Sequence, residues 1–493
     1  MMITALPILI PFVLIIILII SRSVVFSKIT GMVGSLILLI LSVIIFYKLN
    51  KQGFLVLNMA GWKSPYGITL VVDLLSSLML IVSSIIVFAI AIYAYRSLNE
   101  EKQVTKFYVF FFSLIMGVNG ALITGDVFNL YVWFEVMLIS SFVLITFGKS
   151  KEQLEGGIKY LALNLLGSLF FLAGLGLLYG KTGTLNMAHL ADILRNDHQA
   201  ILMNTSAILF FIAFGIKAAV FPLFFWLPAS YHTANITISS LFAGLLTKVG
   251  VYAFIRFFTL FFVHDQVFWH QFLLIIAGLT MVIGGMSASV HYDTRKILSY
   301  HIISQIGYMI MGLGIYTPLA IAGAIFFTIH NMIAKTNTFL VAGLIYKLKR
   351  SFYLKDVGGL IRQNPVLAIL FIIPAFALAG VPPISGFFAK FMLIKAGVDD
   401  GHYVIAIVAV LTGLLTLYSM IKIWNEAFLK KQPDNEFSGQ NKSLGFVDML
   451  PTIILGTVSI LMGIFAFKVF DLTMRAADQL IEGTGYINNI LNK

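Results

Sequence analysis

Two apolar stretches of the sequence place lysine close to proline: FGIKAAVFPLFFWLP at residues 214–228 and AGVPPISGFFAK at residues 379–390. Proline inside a helix removes a backbone hydrogen bond and clashes with the preceding turn, and non-helical backbone persists at membrane depth only where protein or water surrounds it. Two such stretches in separate halves of a chain are typical of an ion path, although a pair of simple kinks is the alternative. We predict two broken helices, interrupted at Pro222, Pro228, Pro382 and Pro383.

The composition is that of a membrane protein. Of the 493 residues, 59% are hydrophobic and 11% are charged, whereas soluble domains carry about 25% charged residues. At about 20 residues per span, the apolar runs predict an all-α polytopic membrane protein with about 14 transmembrane helices, of which helices 7 and 12 are the broken ones. Because the loops are short, residues 1–493 are predicted to form a single membrane domain.

The same composition excludes several functions. The chain has no cysteine, so it cannot hold a disulfide, a thiolate-ligated cluster or a covalently attached haem. Its net charge of +12 indicates topology rather than nucleic acid, because Lys and Arg concentrate in cytoplasmic loops. Eighteen basic residues fall in one set of alternate loops and nine in the other, which predicts both termini outside the cytoplasm. Basic residues only follow the first apolar run, residues 4–20, so we expect an uncleaved first helix.

Five ionisable residues stand out deep within the predicted spans. A charge at the bilayer centre costs at least about 2.5–3.5 kcal/mol on insertion scales, so such residues mark ion or proton paths. Loss of water weakens the preference of a lysine for its charged form, which lets it accept and release protons. A nearby carboxylate favours the protonated lysine, and movement of that carboxylate releases the proton. We predict a proton path through Glu135, Lys217, Lys248, Lys335 and Lys390.

Other readings stay open for some charged residues. Glu135 and Lys217 could form a static ion pair that fixes helix packing, but four lysines and one acid cannot all be paired. Asp73 and Asp126 stand near helix starts, where a structural role is favoured. Four further residues are expected to extend toward the membrane interface: Arg256, Lys395, Lys422 and Glu426.

A polar stripe is predicted on the helix that carries Lys335. Asn331 lies four residues before this lysine and Thr338 three residues after it, so the three side chains share one helix face. His330 lies five residues before Lys335, about 140° away around the helix. It is either a further proton carrier or a packed neutral imidazole.

These residues occur in a series of longer motifs. The order and spacing of the motifs resemble the antiporter-like family, which comprises the large subunits of Mrp-type multisubunit Na⁺/H⁺ antiporters and the proton-pumping membrane subunits of respiratory complex I. The resemblance runs from about Asp73 to Asn425. Its motifs are FEVMLISSFVLITF around Glu135, KAAVFPLFFWLP from Lys217, the stretch through Lys248, TRKILSYHIISQIGYMIMGLG from Thr294, HNMIAKTNTFLVAG from His330 and GVPPISGFFAKF from Gly380.

The resemblance implies two inverted five-helix repeats, at about residues 107–263 and 268–428, flanked by helices at 2–95 and 446–469. Relatives often have histidine at the position of Asn331, and asparagine there cannot itself hold a proton. The resemblance also implies roles along the path. Glu135 matches the essential glutamate of span five, and Lys217 and Lys390 match the lysines of the two broken helices. Lys248 and Lys335 match the central basic residues of spans eight and eleven.

Within the family, Lys390 and the length of the chain favour the Mrp type. The resemblance thus implies a transporter rather than an enzyme, a proton-translocating subunit of a multisubunit Na⁺(Li⁺)/H⁺ antiporter. The implied partners are other antiporter subunits, H⁺, Na⁺ and membrane lipid, with no nucleic acid and no cofactor. A metal site stays unknown, because Glu135, Asp73 and Asp126 do not define a sodium site. The alternative is a proton-pumping membrane subunit of a complex I-like NADH-quinone oxidoreductase.

Overall fold

The computed structural model describes residues 2–21, 23–98, 101–148, 150–196, 200–263, 265–433 and 443–491, which are mostly helical. The first helices of the chain are long and apolar, as the sequence predicts. They are α1 (Leu6–Ile20), α2 (Val24–Gln52), α3 (Leu74–Ser97), α4 (Glu101–Ile123), α5 (Val127–Ile145) and α6 (Lys151–Thr182).

The remaining helices include several short segments between the long ones. The middle of the chain forms α7 (Met187–Asn196), α8 (Ala200–Ala218), α9 (Trp226–Tyr231), α10 (Ile236–Gly244), α11 (Leu246–Leu260), α12 (Gln266–Val290), α13 (Thr294–Ile315) and α14 (Pro318–Lys349). The last part forms α15 (Leu360–Gln363), α16 (Pro365–Ala379), α17 (Ser385–Asp399), α18 (Tyr403–Trp424), α19 (Phe446–Ile464), α20 (Ala466–Glu482) and α21 (Thr484–Leu491).

A β-hairpin that the sequence analysis did not predict connects α2 to α3. Its strands are β1 (Leu55–Asn58) and β2 (Thr69–Val72), which pair antiparallel with Leu55 opposite Val72. With four residues each, the strands are too short to show a clear alternation of apolar and polar residues in the sequence.

Polar side chains fix the starts of several membrane helices. The side chain of Asp126 accepts a hydrogen bond from the backbone of Asn129, and that of Thr317 accepts one from Ala320. Such caps satisfy backbone N–H groups that have no partner inside the helix. They allow α5 and α14 to begin at defined residues within largely apolar sequence.

Both predicted helix breaks are present. The first break, residues 219–225, separates α8 from α9 and begins at Ala219, whose φ of 64° lies in the left-handed region. The second break, residues 380–384, separates α16 from α17 and begins at Gly380 with a φ of 86°. Pro222, Pro382 and Pro383 lie within these breaks. Pro228 lies in the first turn of α9, where proline is tolerated, so it does not interrupt that helix.

A third, milder interruption separates α10 from α11 at Leu245, just before Lys248. The sequence contains no proline there, so nothing in the local pattern predicted it. The combined segment Ile236–Leu260 is still long and apolar enough to cross a membrane.

The centre of the molecule is formed by α10, α11, α13 and α14, which are almost entirely buried. With 32 residues, α14 is about 48 Å long at 1.5 Å per residue. It packs against α3, α10, α13, α16, α17, α19 and α20. The predicted span at 446–469 ends earlier than expected, because α19 stops at Ile464 and the chain turns into α20, which packs on α3, α11 and α14.

Twelve helices of the described residues are long and apolar enough to cross a membrane, so the chain is a multi-pass membrane protein. Two shorter apolar helices, Asn204–Ala218 and Pro365–Ala379, end at the first and second breaks. The count of fourteen spans and the division into two inverted repeats stay predictions.

Candidate functional site

The five ionisable residues predicted to form the path lie on five different helices. Lys248 on α11 and Lys335 on α14 are fully buried, and Lys390 on α17 is 6% exposed. Glu135 on α5 and Lys217 on α8 are only partly buried. The set therefore divides into an outer pair in the first half of the chain and three inner lysines.

A serine connects the outer pair. The Ser168 hydroxyl on α6 donates a hydrogen bond to Glu135 Oε1, and Lys217 Nζ donates to Ser168 Oγ at 3.5 Å. The Phe134 ring also faces the ammonium group, with Lys217 Nζ 5.7 Å from the ring centroid. A cavity of about 20 Å³ beside Lys217 and Asn164 is large enough for one water molecule. Glu135 and Lys217 thus interact through a hydroxyl group.

The carbonyl group of Ile216, just before the first break, has two donors, and neither is a lysine: it accepts from Ala219 N at 3.2 Å as well as from an indole. Trp226 Nε1 donates to the carbonyl oxygen of Ile216 at 2.8 Å, and both residues are buried. Lys217 does not take part in these bonds and interacts with Ser168.

Two of the inner lysines bind backbone carbonyl groups next to helix interruptions. Lys390 Nζ donates to Leu378 O at 2.9 Å and to Ala379 O at 3.0 Å, at the start of the second break. Lys248 Nζ donates to Ala243 O at 2.5 Å, just before the interruption at Leu245. These carbonyl groups give the lysines polar partners that carry no counter-charge.

Lys335 is different, since Nζ has no hydrogen-bond partner within the part of the chain that the structure describes. Lys248 and Lys390 are both within electrostatic reach of it. In the predicted polar stripe, both side-chain atoms of Asn331 also lack partners among the described residues, whereas Thr338 Oγ1 donates to Ala334 O. The stripe is buried along its whole length.

His330 faces the second broken helix instead of this stripe. Its Nδ1 lies 2.9 Å from Ser385 Oγ, which in turn lies 3.1 Å from Ser459 Oγ. The Nε2 atom has no partner among the described residues. His330 therefore ties α14 to α17 and α19 through a short chain of hydroxyl groups.

Asp73 and Asp126 both cap helices, as the structural reading expected. Asp73 caps α3 and also binds Arg256, with 2.5 Å between Oδ2 and Nη1. Burial alone would raise the pKa of Asp73, but the charge and hydrogen bond of Arg256 hold it below its ordinary value. Burial raises the pKa of Asp126, which has no such cation.

The expectation that Arg256 extends to the membrane interface is wrong. Arg256 is only 4% exposed, because the paired carboxylate of Asp73 and the Tyr252 hydroxyl compensate its charge inside the protein. Lys422 turns back to the carbonyl groups of Ser289 and His291. Lys395 and Glu426 pair on their own helical segments with Asp399 and Lys430.

The described residues contain no group of three or more His, Asp or Glu side chains that could hold a metal ion. Two polar groups of the path were missed by the sequence analysis, Ser168 and Trp226. Trp226 stands inside the motif quoted for the first break, so its indole was an available signal. Ser168 gives no comparable sign, because serine is common in membrane helices.

Comparison with known proteins bears on this arrangement. Residues 124–416 match the family described as NADH:quinone oxidoreductase/Mrp antiporter, TM. The chain belongs to this family. The matched residues include both breaks and all five residues of the candidate path.

Curated relatives in this family are similar over nearly the whole chain. A protein of Alkalihalophilus pseudofirmus, named as the D-type subunit of a Na(+)/H(+) antiporter, is 44% identical over 92% of this chain and 92% of its own length. A Bacillus subtilis protein of the same name is 37% identical over 99% of both chains.

Solved structures of the family share the fold. A chain in the structure of the Mrp complex from a Dietzia species has a TM-score of 0.92 and 28% identity over 100% of both chains. A chain of the membrane-bound sulfane sulfur reductase, an archaeal respiratory membrane complex, has a TM-score of 0.91 and 26% identity over 99% of both chains. A chain of respiratory complex I from Thermus thermophilus has a TM-score of 0.85 and 22% identity over 97% of this chain and 99% of its own length. At this identity the likeness concerns the fold alone.

Proposed function

We propose that the chain is the proton-translocating D-type subunit of an Mrp-type Na⁺(Li⁺)/H⁺ antiporter. In this role it exports Na⁺ in exchange for H⁺ at the expense of the proton-motive force, worth about 2.3 kcal/mol per charge per 100 mV, and supports pH and sodium homeostasis. The observation that carries the proposal is the set of three buried lysines, extended outward by Lys217 and Glu135. The names of the curated relatives support the same function.

The outer pair supplies a way to load and unload a proton. Ionised Glu135 favours the ammonium form of Lys217, and Ser168 lies between the two side chains. When Glu135 moves or is neutralised, Lys217 loses this stabilisation and releases its proton to water in the adjoining cavity. Glu135 thus acts as a modulator and Lys217 as a carrier.

The inner lysines continue the path toward the second break. Lys248 and Lys390 bind carbonyl oxygens, which accept a hydrogen bond from a neutral amine as well as from an ammonium group. Each lysine can therefore keep its position when its proton leaves. Lys335, which interacts electrostatically with both, stands between them in this scheme.

The chain works within a complex. Its partners in this proposal are the other subunits of a hetero-oligomeric antiporter in the cell membrane, with both termini outside the cytoplasm. We also propose the single membrane domain over 1–493, with repeats at about 107–263 and 268–428 and flanking helices at 2–95 and 446–469. Asp73, Asp126, His330, Asn331 and Thr338 support the path.

Alanine substitution in the assembled complex tests the function. Na⁺-dependent proton movement in everted vesicles is expected to be abolished in E135A and in K217A. E155A and K159A are matched controls, because Glu155 and Lys159 form an exposed pair on α6. Normal transport by E135A and K217A, with normal amounts of complex, would refute the proposal.

The second candidate function is a membrane subunit of a quinone-reducing enzyme. It is favoured by the description of the matched family, which names NADH:quinone oxidoreductase beside the Mrp antiporter. Purification of the native complex separates the two functions, because flavin and iron–sulfur centres are expected only in the redox enzyme.

A further inference from the structure

His301 on α13 is a buried titratable side chain that the path described above does not use. It is 0% exposed, and neither Nδ1 nor Nε2 has a hydrogen-bond partner within the described part of the chain. An imidazole without polar partners is costly at such a depth. The charges that act on it come from Lys335 on α14 and Lys390 on α17. His301 therefore lies within electrostatic range of both lysines.

Other polar atoms around these helices also lack partners among the described residues. On α13 these are Ser304 Oγ and Gln305 Oε1, at positions one turn beyond His301. Lys335 Nζ and both side-chain atoms of Asn331 contribute from α14, and Thr412 Oγ1 contributes from α18. These five residues and His301 make six, and all six are buried.

Unpaired polar atoms cluster rarely in protein interiors, because each one left without a partner costs free energy. Water molecules that make two to four hydrogen bonds are the usual solution. The six residues lie on three helices that pack against each other, α13 with α14 and with α18. Such a cluster, which we call the α13–α14–α18 polar cluster, is suited to hold ordered water next to Lys335.

We propose that His301 is a proton relay between Lys335 and Lys390, acting through water in the α13–α14–α18 polar cluster. This inference rests on the proposed function and names a further residue of its path. One ring nitrogen gains a proton from the Lys335 ammonium group, or from a water molecule that this ammonium group has protonated. The other ring nitrogen then gives up its proton toward the Lys390 amine. Atoms and charge balance, and the imidazole returns to its neutral form.

The environment of His301 fits a relay better than a fixed contact. Lys390 Nζ lies 5.2 Å from the centroid of the Tyr308 ring and donates to two carbonyl groups. These contacts keep the Lys390 side chain in place in both of its protonation states. His330 is bound to Ser385 through Nδ1, so only one of its nitrogens is free to exchange a proton. His301 has both nitrogens available.

The test uses the complete antiporter complex reconstituted in proteoliposomes. In H301Q, which keeps a polar amide but cannot carry a proton, the maximal rate of Na⁺-driven proton movement is expected to fall by about 100-fold. The Na⁺ concentration for half-maximal rate is expected to stay unchanged, because the relay does not contact Na⁺. H402Q is the matched control, since His402 pairs with Asp400 near the end of α17 and is partly exposed.

A second-site variant separates a relay from a packing role. Asn331 lies one turn before Lys335 and has an unpaired side chain, so N331H places an imidazole in the same polar cluster. The double variant H301Q/N331H is expected to recover at least about tenfold of the lost rate. A structural defect at residue 301 would not be repaired in this way.

Each outcome decides between these roles. Loss of rate in H301Q with recovery in the double variant supports the relay, and full activity of H301Q overturns it. Loss without recovery, or failure of both H301Q and H301N to assemble, assigns His301 a packing role and also overturns it. If the wild-type complex shows no Na⁺-dependent proton movement, the proposed function has failed and the relay falls with it.

Discussion

The two helix breaks solve the same backbone problem with different side chains. At the first break, the carbonyl of Ile216 accepts from the indole of Trp226 and from Ala219 N, and Lys217 interacts with Ser168 instead. At the second break, Lys390 itself binds the free carbonyl groups of Leu378 and Ala379.

At the first break, the side chain that stabilises the backbone is not the lysine that is proposed to carry protons. At the second break, one lysine has both roles. Lys217 has an acidic neighbour, Glu135, acting on it and little part in holding the break together. Lys390 has carbonyl partners and is part of the structure of its break. A lysine near a proline in a membrane helix therefore has no uniform role, and the role differs according to whether the lysine binds the carbonyl groups of the break.

Removing each lysine should show the largest contrast. K390A leaves the buried carbonyl group of Leu378 and the partly buried one of Ala379 without donors, at a cost of about 1–3 kcal/mol each. K217A leaves the bond from Trp226 to Ile216 in place and should unfold almost like the wild type. Thermal unfolding of the purified complex measures both, with K390R as a control that keeps the donors. Equal losses of stability in K217A and K390A would contradict the comparison.

The indole at the first break is the next test. W226F retains the aromatic packing against Tyr160 and Tyr231 but removes the donor to Ile216 O. We expect a loss of stability of about 0.5–1.5 kcal/mol, the net contribution of one hydrogen bond, because Ile216 O keeps its bond from Ala219 N. W62F is the matched control, because Trp62 is 66% exposed. An unchanged unfolding temperature in W226F would mean that the bond from Ala219 N alone is enough for this carbonyl and that the indole donor does not stabilise the break.

The hydroxyl group between Glu135 and Lys217 should affect transport more than stability. S168A removes a hydrogen bond to a charged group, worth about 1.5 kcal/mol, and should lower the rate of Na⁺-dependent proton movement by about tenfold. S289A is the control, since the Ser289 hydroxyl donates to Met286 O within its own helix. A wild-type rate in S168A would show that Glu135 acts on Lys217 without the serine.

The smallest expected effect concerns the first residue of the first break. Ala219 has a left-handed φ of 64°, where glycine avoids a steric cost of about 1–2 kcal/mol. Since glycine costs about 0.5–1 kcal/mol in chain entropy, A219G should be neutral or more stable by up to about 1 kcal/mol. A218G, at the end of α8, should be less stable. Destabilisation by A219G would indicate that packing of the Ala219 methyl group outweighs its backbone strain.

Much of the fold followed from composition and local pattern. Apolar runs predicted the long helices, and the prolines predicted both breaks within a few residues, because proline acts on the backbone of its own helix. The buried lysines were also predicted, since a lysine in the middle of an apolar run must lie inside a membrane-spanning helix. These features depend on residues close together in the sequence.

Contacts between distant residues were not predictable in this way. Asp73 and Arg256 are 183 positions apart, so the sequence alone suggested an exposed arginine where the structure has a buried pair. The interruption at Leu245 has no proline, and the bond from Lys248 to Ala243 O depends on it. His301 stood within a quoted motif, but only the packing of α13 against α14 and α17 places it near two lysines.

The position of α20 has a consequence for how the protein is made. This helix packs against α3, α11 and α14 through Thr473, Ala476 and Ala477, which are buried. It leaves the ribosome after all of the helices that carry the path. Until about residue 482 has been synthesised, part of the surface of these three helices therefore has no protein cover. A chain that stops earlier presents that surface to lipid or to quality-control proteases.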